Sequence, residues 1–228
     1  MVNIVVSIIY LLVSFIVTLL IFKFCGKYGL FLWMSVLVII SNIQTIKVSD
    51  FFGLTVSLGN IPYGALFLTT DILNERYGRK FANISIKVSF FIMIIFTILM
   101  QLFLQYVPGS NDFSQEALGI IFSYIPIITF ASLLAYLISQ LCDSYIYDFL
   151  KKKYRKVWIS NNVSTLISQI IDTFIFVFIS FYSKMNLYDL FILSVTMIIF
   201  KWIIALLDTP FMIISTKIKT KELSDYEK

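Results

Sequence analysis

The stretch ISNNVSTLISQIIDTFIFVFISFY, residues 159–182, carries no basic residue and a single carboxylate, Asp172. About 20 mainly apolar residues are enough to cross the hydrocarbon of a bilayer as a helix. The segment is that long, and its polar residues are not scattered. Asn162, Thr165, Gln169 and Asp172 follow one another at spacings of 3, 4 and 3, which sets all four on one face of an α-helix. A carboxylate deep in lipid costs several kcal/mol unless it faces protein or a wet interior. A membrane helix with such a stripe therefore belongs to a bundle, and the stripe faces inward. Asn, Gln and Thr also serve as hydrogen-bonding glue between membrane helices, and either reading suits Asn162 or Thr165 alone. A continuous stripe that ends in a midplane carboxylate favours a binding site.

The preceding apolar segment repeats the pattern. Leu137, Ile138, Ser139, Gln140, Asp143, Ile146 and Phe149 recur as Leu166, Ile167, Ser168, Gln169, Asp172, Ile175 and Phe178. The two helices run in opposite directions, as in the inverted repeats of transporters, although similar local chemistry explains the likeness about as well. Ala131 and Ala135 form a small-xxx-small pair suited to close helix packing.

Composition extends the reading to the whole chain. Of 228 residues, 59% are hydrophobic and 14% charged, against about 25% charged in soluble domains; the mean hydropathy is +0.91. Apolar stretches recur throughout, and no long polar segment remains for a soluble catalytic domain. Histidine is absent, which removes the commonest general base and metal ligand. Cys25 and Cys142 are far apart and read as small packing residues, so neither a disulfide nor a metal or cofactor is expected. The net charge of +5 follows topology and is no nucleic-acid signal. The N-terminal MVNIVVSIIYLLVSFIVTLLIF lacks a basic n-region and a small-residue cleavage site, so it reads as a retained first helix.

The expected fold is all-α: a polytopic membrane bundle with crossings near 2–24, 29–46, 59–74, 84–106, 124–149, 159–182 and 188–214. The third is short and contains Pro62, and a re-entrant or broken helix is its alternative, tolerated where it lines protein or water. With the N-terminus outside, all basic residues fall on cytoplasmic segments except Lys47 and Lys184, which lie outside, and Lys201, which lies in the membrane. Cytoplasmic loops are the ones enriched in Lys and Arg. A six-crossing alternative would scatter these charges to both sides. The loop YVPGSNDFSQE (106–116) is external; residues 116–123 form a short amphipathic piece, and the polar tail KIKTKELSDYEK (217–228) is cytoplasmic and frayed.

Other polar residues lie at membrane depth. Lys201 and Asp208, seven apart, share a face of the last crossing. Lys201 is either the partner of Asp172 or Asp208 in an ion pair or a carrier of coupling charge. Pro210 would free carbonyls if it kinks the helix. Asp71, Asn74 and Glu75 share a face at the end of the third crossing; Glu75 is expected to pair with Arg79 at i+4, at a helix end that meets the cytoplasmic interface, and Asp71, a turn deeper, is read as a binding residue. Asn42 and Gln44 are read as plain interhelical bonds.

Four segments then carry a resemblance: FLTTDILNERYGRK at 67–80, ASLLAYLISQLCD at 131–143, ISNNVSTLISQIIDTFIF at 159–176 and KWIIALLDTPF at 201–211. In this order they resemble the motifs of the queuosine precursor transporters, a bacterial family of the vitamin uptake transporter group long carried as a domain of unknown function. The resemblance runs from about Leu30 to Thr216. It implies a six-helix transporter core at 29–216, an additional N-terminal helix at 1–28 and a polar tail at 217–228. Arg76 departs from it, standing where a hydrophobic or polar residue is common.

The family imports 7-deazaguanines, such as 7-cyano- and 7-aminomethyl-7-deazaguanine, for salvage into the queuosine of tRNA. The expectation for this chain is thus a non-enzymatic importer of a nucleobase-like small molecule in the bacterial plasma membrane. Its only environment is the lipid bilayer, with no nucleic-acid partner and a homo-oligomer left open. Carboxylates and amides suit the donor edge of such a base, and Asp71, Asn74, Gln140, Asp143, Asn162, Gln169 and Asp172 are the candidate binding residues. Lys201, Asp208 and Glu75 are the coupling or structural charges. The alternative is a substrate-binding subunit of an ATP-driven uptake complex; the first alanine is Ala65, so no Ala-x-x-x-Ala docking pair occurs in the first two crossings.

Overall fold

The computed structural model describes residues 2–51, 53–154 and 157–220; within them, side chains are described except at 54, 79, 140, 143–144, 147–148, 151–154, 157–162 and 164–165. Among the described residues the elements run α1 (Val2–Thr45), β1 (Val48–Phe51), β2 (Leu54–Ser57), α2 (Asn60–Tyr77), α3 (Arg79–Phe103), α4 (Gln115–Phe122), α5 (Ile125–Tyr154), α6 (Val157–Phe181) and α7 (Leu187–Lys217). The protein is an all-α membrane chain with one small hairpin. By length and composition, Val2–Thr45, Lys80–Phe103, Gln115–Ser139 and Leu187–Lys217 are long and apolar enough to cross a membrane, and Leu166–Phe181 is a shorter apolar helix.

At 44 residues, α1 would be about 66 Å long if straight, roughly twice the hydrocarbon thickness. It is not straight. Gly26 leaves helical geometry at φ 57, ψ −145, a conformation that glycine adopts without steric cost. The chain folds back there: the Trp33 indole N–H donates to Thr18 Oγ1 at 2.9 Å, and the Gln44 amide donates to the Tyr10 hydroxyl at 2.9 Å. Both contacts pair residues on opposite sides of Gly26, so the two arms lie antiparallel, matching the two expected crossings. Along the first arm Ile9, Val13, Ile16 and Leu20 are exposed, whereas Leu11, Phe15 and Phe22 are buried. An apolar outer stripe over an apolar inner one is the mark of a helix solvated by lipid.

The hairpin β1–β2 stands where the sequence reading places no element. Val48 pairs with Ser57 and Phe51 with Leu54 in antiparallel register. Gly53 turns the chain with φ 81, and Thr55 donates to Asp50 at 2.9 Å. Asn3 ties the hairpin to the start of α1 through Ser49 Oγ at 2.8 Å. Phe51 is buried and meets Phe200 at a ring-centroid distance of 5.2 Å.

Helix α2 is regular in spite of Pro62. It begins at Asn60, so Pro62 falls in the first turn, where a backbone N–H has no intrahelical acceptor in any case. It ends at Gly78, whose φ of 87 separates it from α3. Gly78 thus puts Glu75 and Arg79 on two different helices; their expected pairing itself falls outside the described residues, because the Arg79 side chain does. After α3, Asp112 accepts from the Ser114 N–H at 2.7 Å and its hydroxyl at 2.8 Å. Those bonds hold this exposed carboxyl below the usual carboxylate range. The short helix α4 follows at the expected place, and Gln101 donates to the Phe122 carbonyl at 2.7 Å at its end.

The chain forms two compact units, Met1–Ile125 with Phe200–Lys228, and Pro126–Ile199. The first is built on a cluster that includes Phe15, Phe22, Leu30, Leu68, Ile72, Leu73 and Ile204. A further cluster there gathers Val38, Met93, Phe122 and Ile125. The second unit centres on Val177, Phe181, Leu190, Leu193 and Met197. Several buried hydroxyls in each unit bond back to their own helices, as Thr69 to the Ala65 carbonyl and Thr173 to the Gln169 carbonyl. This satisfies them where no water is at hand.

Candidate functional site

In the first unit the candidate residues come from α2 and from the part of α7 beyond Phe200. The two helices run in the same direction, as four pairs of neighbours show. The Lys201 ammonium lies 5.4 Å from the Tyr63 ring centroid. A β-carbon at Gly64 would run into Ile204 Cγ2. Asp71 lies within electrostatic reach of Asp208, and the Arg76 guanidinium donates to the Thr216 carbonyl at 3.1 Å. Numbers rise together along both helices. The absent side chain of Gly64 permits the approach, and Lys201 and Asp208, seven residues apart, are thereby set along α2.

Lys201 and Asp208 are each only 7% exposed. For Lys201 one compensating neighbour is the Tyr63 ring, whose face attracts a cation. The helix α7 continues through Pro210 to Lys217, and Thr209 bonds back to the Ala205 carbonyl at 3.2 Å.

The polar and apolar sides of α2 are sharply divided. Ala65, Leu68, Ile72 and Leu73 are completely buried. Tyr63, Phe67 and Thr70 are half-buried, and Asp71, Asn74 and Glu75 are exposed. The residues Tyr63, Phe67, Thr70, Asp71 and Asn74 fall at i, i+4, i+7, i+8 and i+11, a single helical face. A face with a carboxylate and an amide does not front hydrocarbon. Glu75 lies one residue round from that stripe, near the end of the helix.

In the second unit, the two Ser-Gln-x-x-Asp copies meet. The Ser139 hydroxyl of α5 lies 3.5 Å from Asp172 Oδ1 of α6 and 3.1 Å from its own Tyr136 carbonyl. Ser139 is buried, Asp172 and Gln169 are half-buried, and Ser168 and Thr173 beside them are buried. Ala131 and Ala135 are buried too, as a close-packing face requires. The side chains of Gln140, Asp143 and Asn162 lie outside the described residues. Among the described residues no three His, Cys, Asp or Glu side chains gather as a metal-ion site.

Tyr63, Phe67 and Arg76 are the residues that reasoning from sequence left unassigned. The first two were legible as part of the i, i+4 run that ends in Asp71. Arg76 stood out only as a departure from a pattern.

Several helices long and apolar enough to cross a membrane, with ionisable side chains buried among them, define a multi-pass membrane protein. The family described as "Putative vitamin uptake transporter" matches residues 57–215. The "Probable queuosine precursor transporter" of Bacillus subtilis (strain 168) is 39% identical over 175 residues, covering 75% of this chain and 76% of the relative. The "Queuosine precursor transporter" of Escherichia coli (strain K12) is 26% identical over 172 residues, covering 71% and 73%. The chain belongs to the queuosine precursor transporter family. No solved structure matches it.

Proposed function

We propose that this protein imports a 7-deazaguanine precursor of queuosine across the bacterial plasma membrane, without chemical change to it, for salvage into tRNA. The observation that carries the reading is the 39% identity to the Bacillus subtilis relative over three quarters of both chains. The chemistry of the polar groups supports it. A guanine-like edge presents the ring N–H and the exocyclic amine side by side, and a carboxylate accepts both at once. Asp71 and Asn74 on α2 offer that combination of acceptor and amide within the first unit, and Gln169 and Asp172 on α6 offer it within the second. Gln140, Asp143 and Asn162 belong to the same set on the sequence argument. Lys201 and Asp208 then act as structural or coupling charges, and Glu75 as a charge at the cytoplasmic end.

The same reading gives seven crossings, with the N-terminus outside and the C-terminus in the cytoplasm. The two arms of α1 make the first two and α2 the third. Three more, α3, α5 and α6, separate α2 from α7, which agrees with the shared direction of α2 and α7. The core spans 29–216, preceded by the additional helix at 1–28.

The deciding experiment uses a bacterial host that can neither make queuosine precursors nor import them. Expression of this chain alone restores queuosine in tRNA when 7-cyano- or 7-aminomethyl-7-deazaguanine is supplied. No restoration with either compound, or with the free base queuine, while the protein is present in the membrane, overturns the reading. Restoration only when an ATPase complex is co-expressed transfers the chain to the binding-subunit class.

A further inference from the structure

We propose that Phe67, fixed from one side by Tyr63, is the stacking wall on which a planar heterocycle lies while its donor edge meets Asp71. The inference rests on the import reading for its choice of ligand, and on geometry for its place.

Phe67 and Asp71 are four residues apart on α2, so their β-carbons stand about 5–6 Å from one another on the same face. That distance is the width of a fused two-ring heterocycle. A base stacked on the Phe67 ring therefore has its edge at the carboxylate. The core makes no demand for an aromatic ring here. It is filled from the other side of α2 by Ala65, Leu68, Ile72 and Leu73, while Phe67 is only half-buried. Lipid makes no such demand either, because the stripe that holds Phe67 also holds Thr70, Asp71 and Asn74.

The ring is also held in place. Tyr63 and Phe67 meet at 4.9 Å between centroids with an interplanar angle of 84°. In an edge-to-face pair one ring keeps both faces clear of the other, and its partner keeps one. Tyr63 is anchored in turn by the Lys201 ammonium, 5.4 Å from its centroid. A chain of contacts from Lys201 through Tyr63 thus sets the plane of Phe67 before a ligand arrives, and a preorganised aromatic wall loses little entropy on binding. Stacking tolerates any flat π-system, so Phe67 contributes affinity for the ring system and Asp71 selects its edge.

The experiment combines two measurements on the full chain with 7-cyano-7-deazaguanine as the probe: uptake in the import-deficient host, and binding to the purified protein in detergent. Phe67→Leu raises the half-saturating concentration and the dissociation constant about tenfold or more, with the maximal rate little changed. Phe67→Tyr and Phe67→Trp stay near the parent, because any ring serves. Phe67→Met, which keeps volume without a π-face, guards against a packing effect and behaves like Phe67→Leu. Tyr63→Phe is neutral, whereas Tyr63→Leu weakens binding. Parent-like affinity in both Phe67→Leu and Phe67→Met overturns the wall. So does failure of the purified parent protein to bind 7-cyano-7-deazaguanine, guanine or queuine. Binding that depends on a ring at position 67, without any uptake, supports the wall and instead overturns the import reading.

Discussion

The Arg76 guanidinium donates to the backbone carbonyl of Ile218 at 3.0 Å, tying the end of α2 to the chain just beyond α7. A second N–H reaches the Thr216 carbonyl, and the group rests over the Phe22 ring at 5.5 Å to its centroid. The last carbonyls of a helix have no intrahelical donor and carry the negative end of its dipole. A planar cation with several N–H groups satisfies one of them, at Thr216, and at the same time the Ile218 carbonyl just past the helix. Arg76 thus ties α1, α2 and the end of α7 together.

Arg76→Ala should therefore lower the melting temperature of the purified protein. The site is exposed, so the loss is about 1 kcal/mol rather than the larger figure for a buried charged bond. Arg76→Lys recovers only part of it, since an ammonium does not span both carbonyls. Equal melting temperatures for all three proteins by fluorescence-detected unfolding would remove Arg76 from this role.

Gly64→Ala tests the approach of α7 to α2. The added methyl meets Ile204, which is 4% exposed and has little room to retreat. Overpacking of this kind costs about 1–3 kcal/mol. Ile204→Ala also destabilises on its own, by leaving a void. Combined with Gly64→Ala it should cost less than the sum, which is the signature of a shared contact. Additive losses in the double variant would mean that the two positions do not meet.

Asp71→Asn and Asp172→Asn are each expected to abolish precursor-dependent queuosine formation while leaving membrane abundance intact. The amide keeps the shape of the carboxylate but turns two acceptor oxygens into one acceptor and one donor, so it no longer accepts two N–H groups. Normal tRNA queuosine in both variants, measured at limiting precursor, would take these carboxylates out of the binding role.

Orientation is open to cysteine labelling. Cys25 is exposed next to the break at Gly26, which the charge distribution assigns to the cytoplasm. In a Cys142→Ser background, a membrane-impermeant maleimide should label Cys25 in inverted vesicles and spare it in intact cells. A cysteine placed at Ser110, in the acidic loop before α4, should give the opposite pattern. Labelling of both from the same side would refute seven crossings with an external N-terminus.

The helices were readable because lipid leaves the backbone few choices. Apolar length alone set α3, α5, α6 and α7 to within a few residues at most ends, and Gly26 fell inside the expected gap between the first two crossings. The hairpin at 48–57 was not read, although its alternating residues on either side of Gly53 are a turn signal. Its strands are four residues each, too short to stand out beside two long apolar segments. Pro62 suggests a broken helix in the sequence, whereas its place in the first turn of α2 makes it harmless. The meeting of Ser139 with Asp172 follows from the repeat once two antiparallel helices are assumed. Tyr63 beside Lys201 does not follow, because residues 138 positions apart meet only through the direction and depth of α7.

The first compact unit is not continuous along the chain: residues 126–199 intervene before Phe200. During synthesis, α2 is therefore made with Asp71 and Tyr63 before Lys201 and Asp208 exist. Lys201 and Asp208, for their part, give α7 two residues that insertion disfavours by about 2.5–3.5 kcal/mol each near the middle of a helix. The first unit can therefore close only after α7 has been made, and a chain stopped before residue 200 leaves Gly64 and Arg76 without their neighbours Ile204 and Thr216.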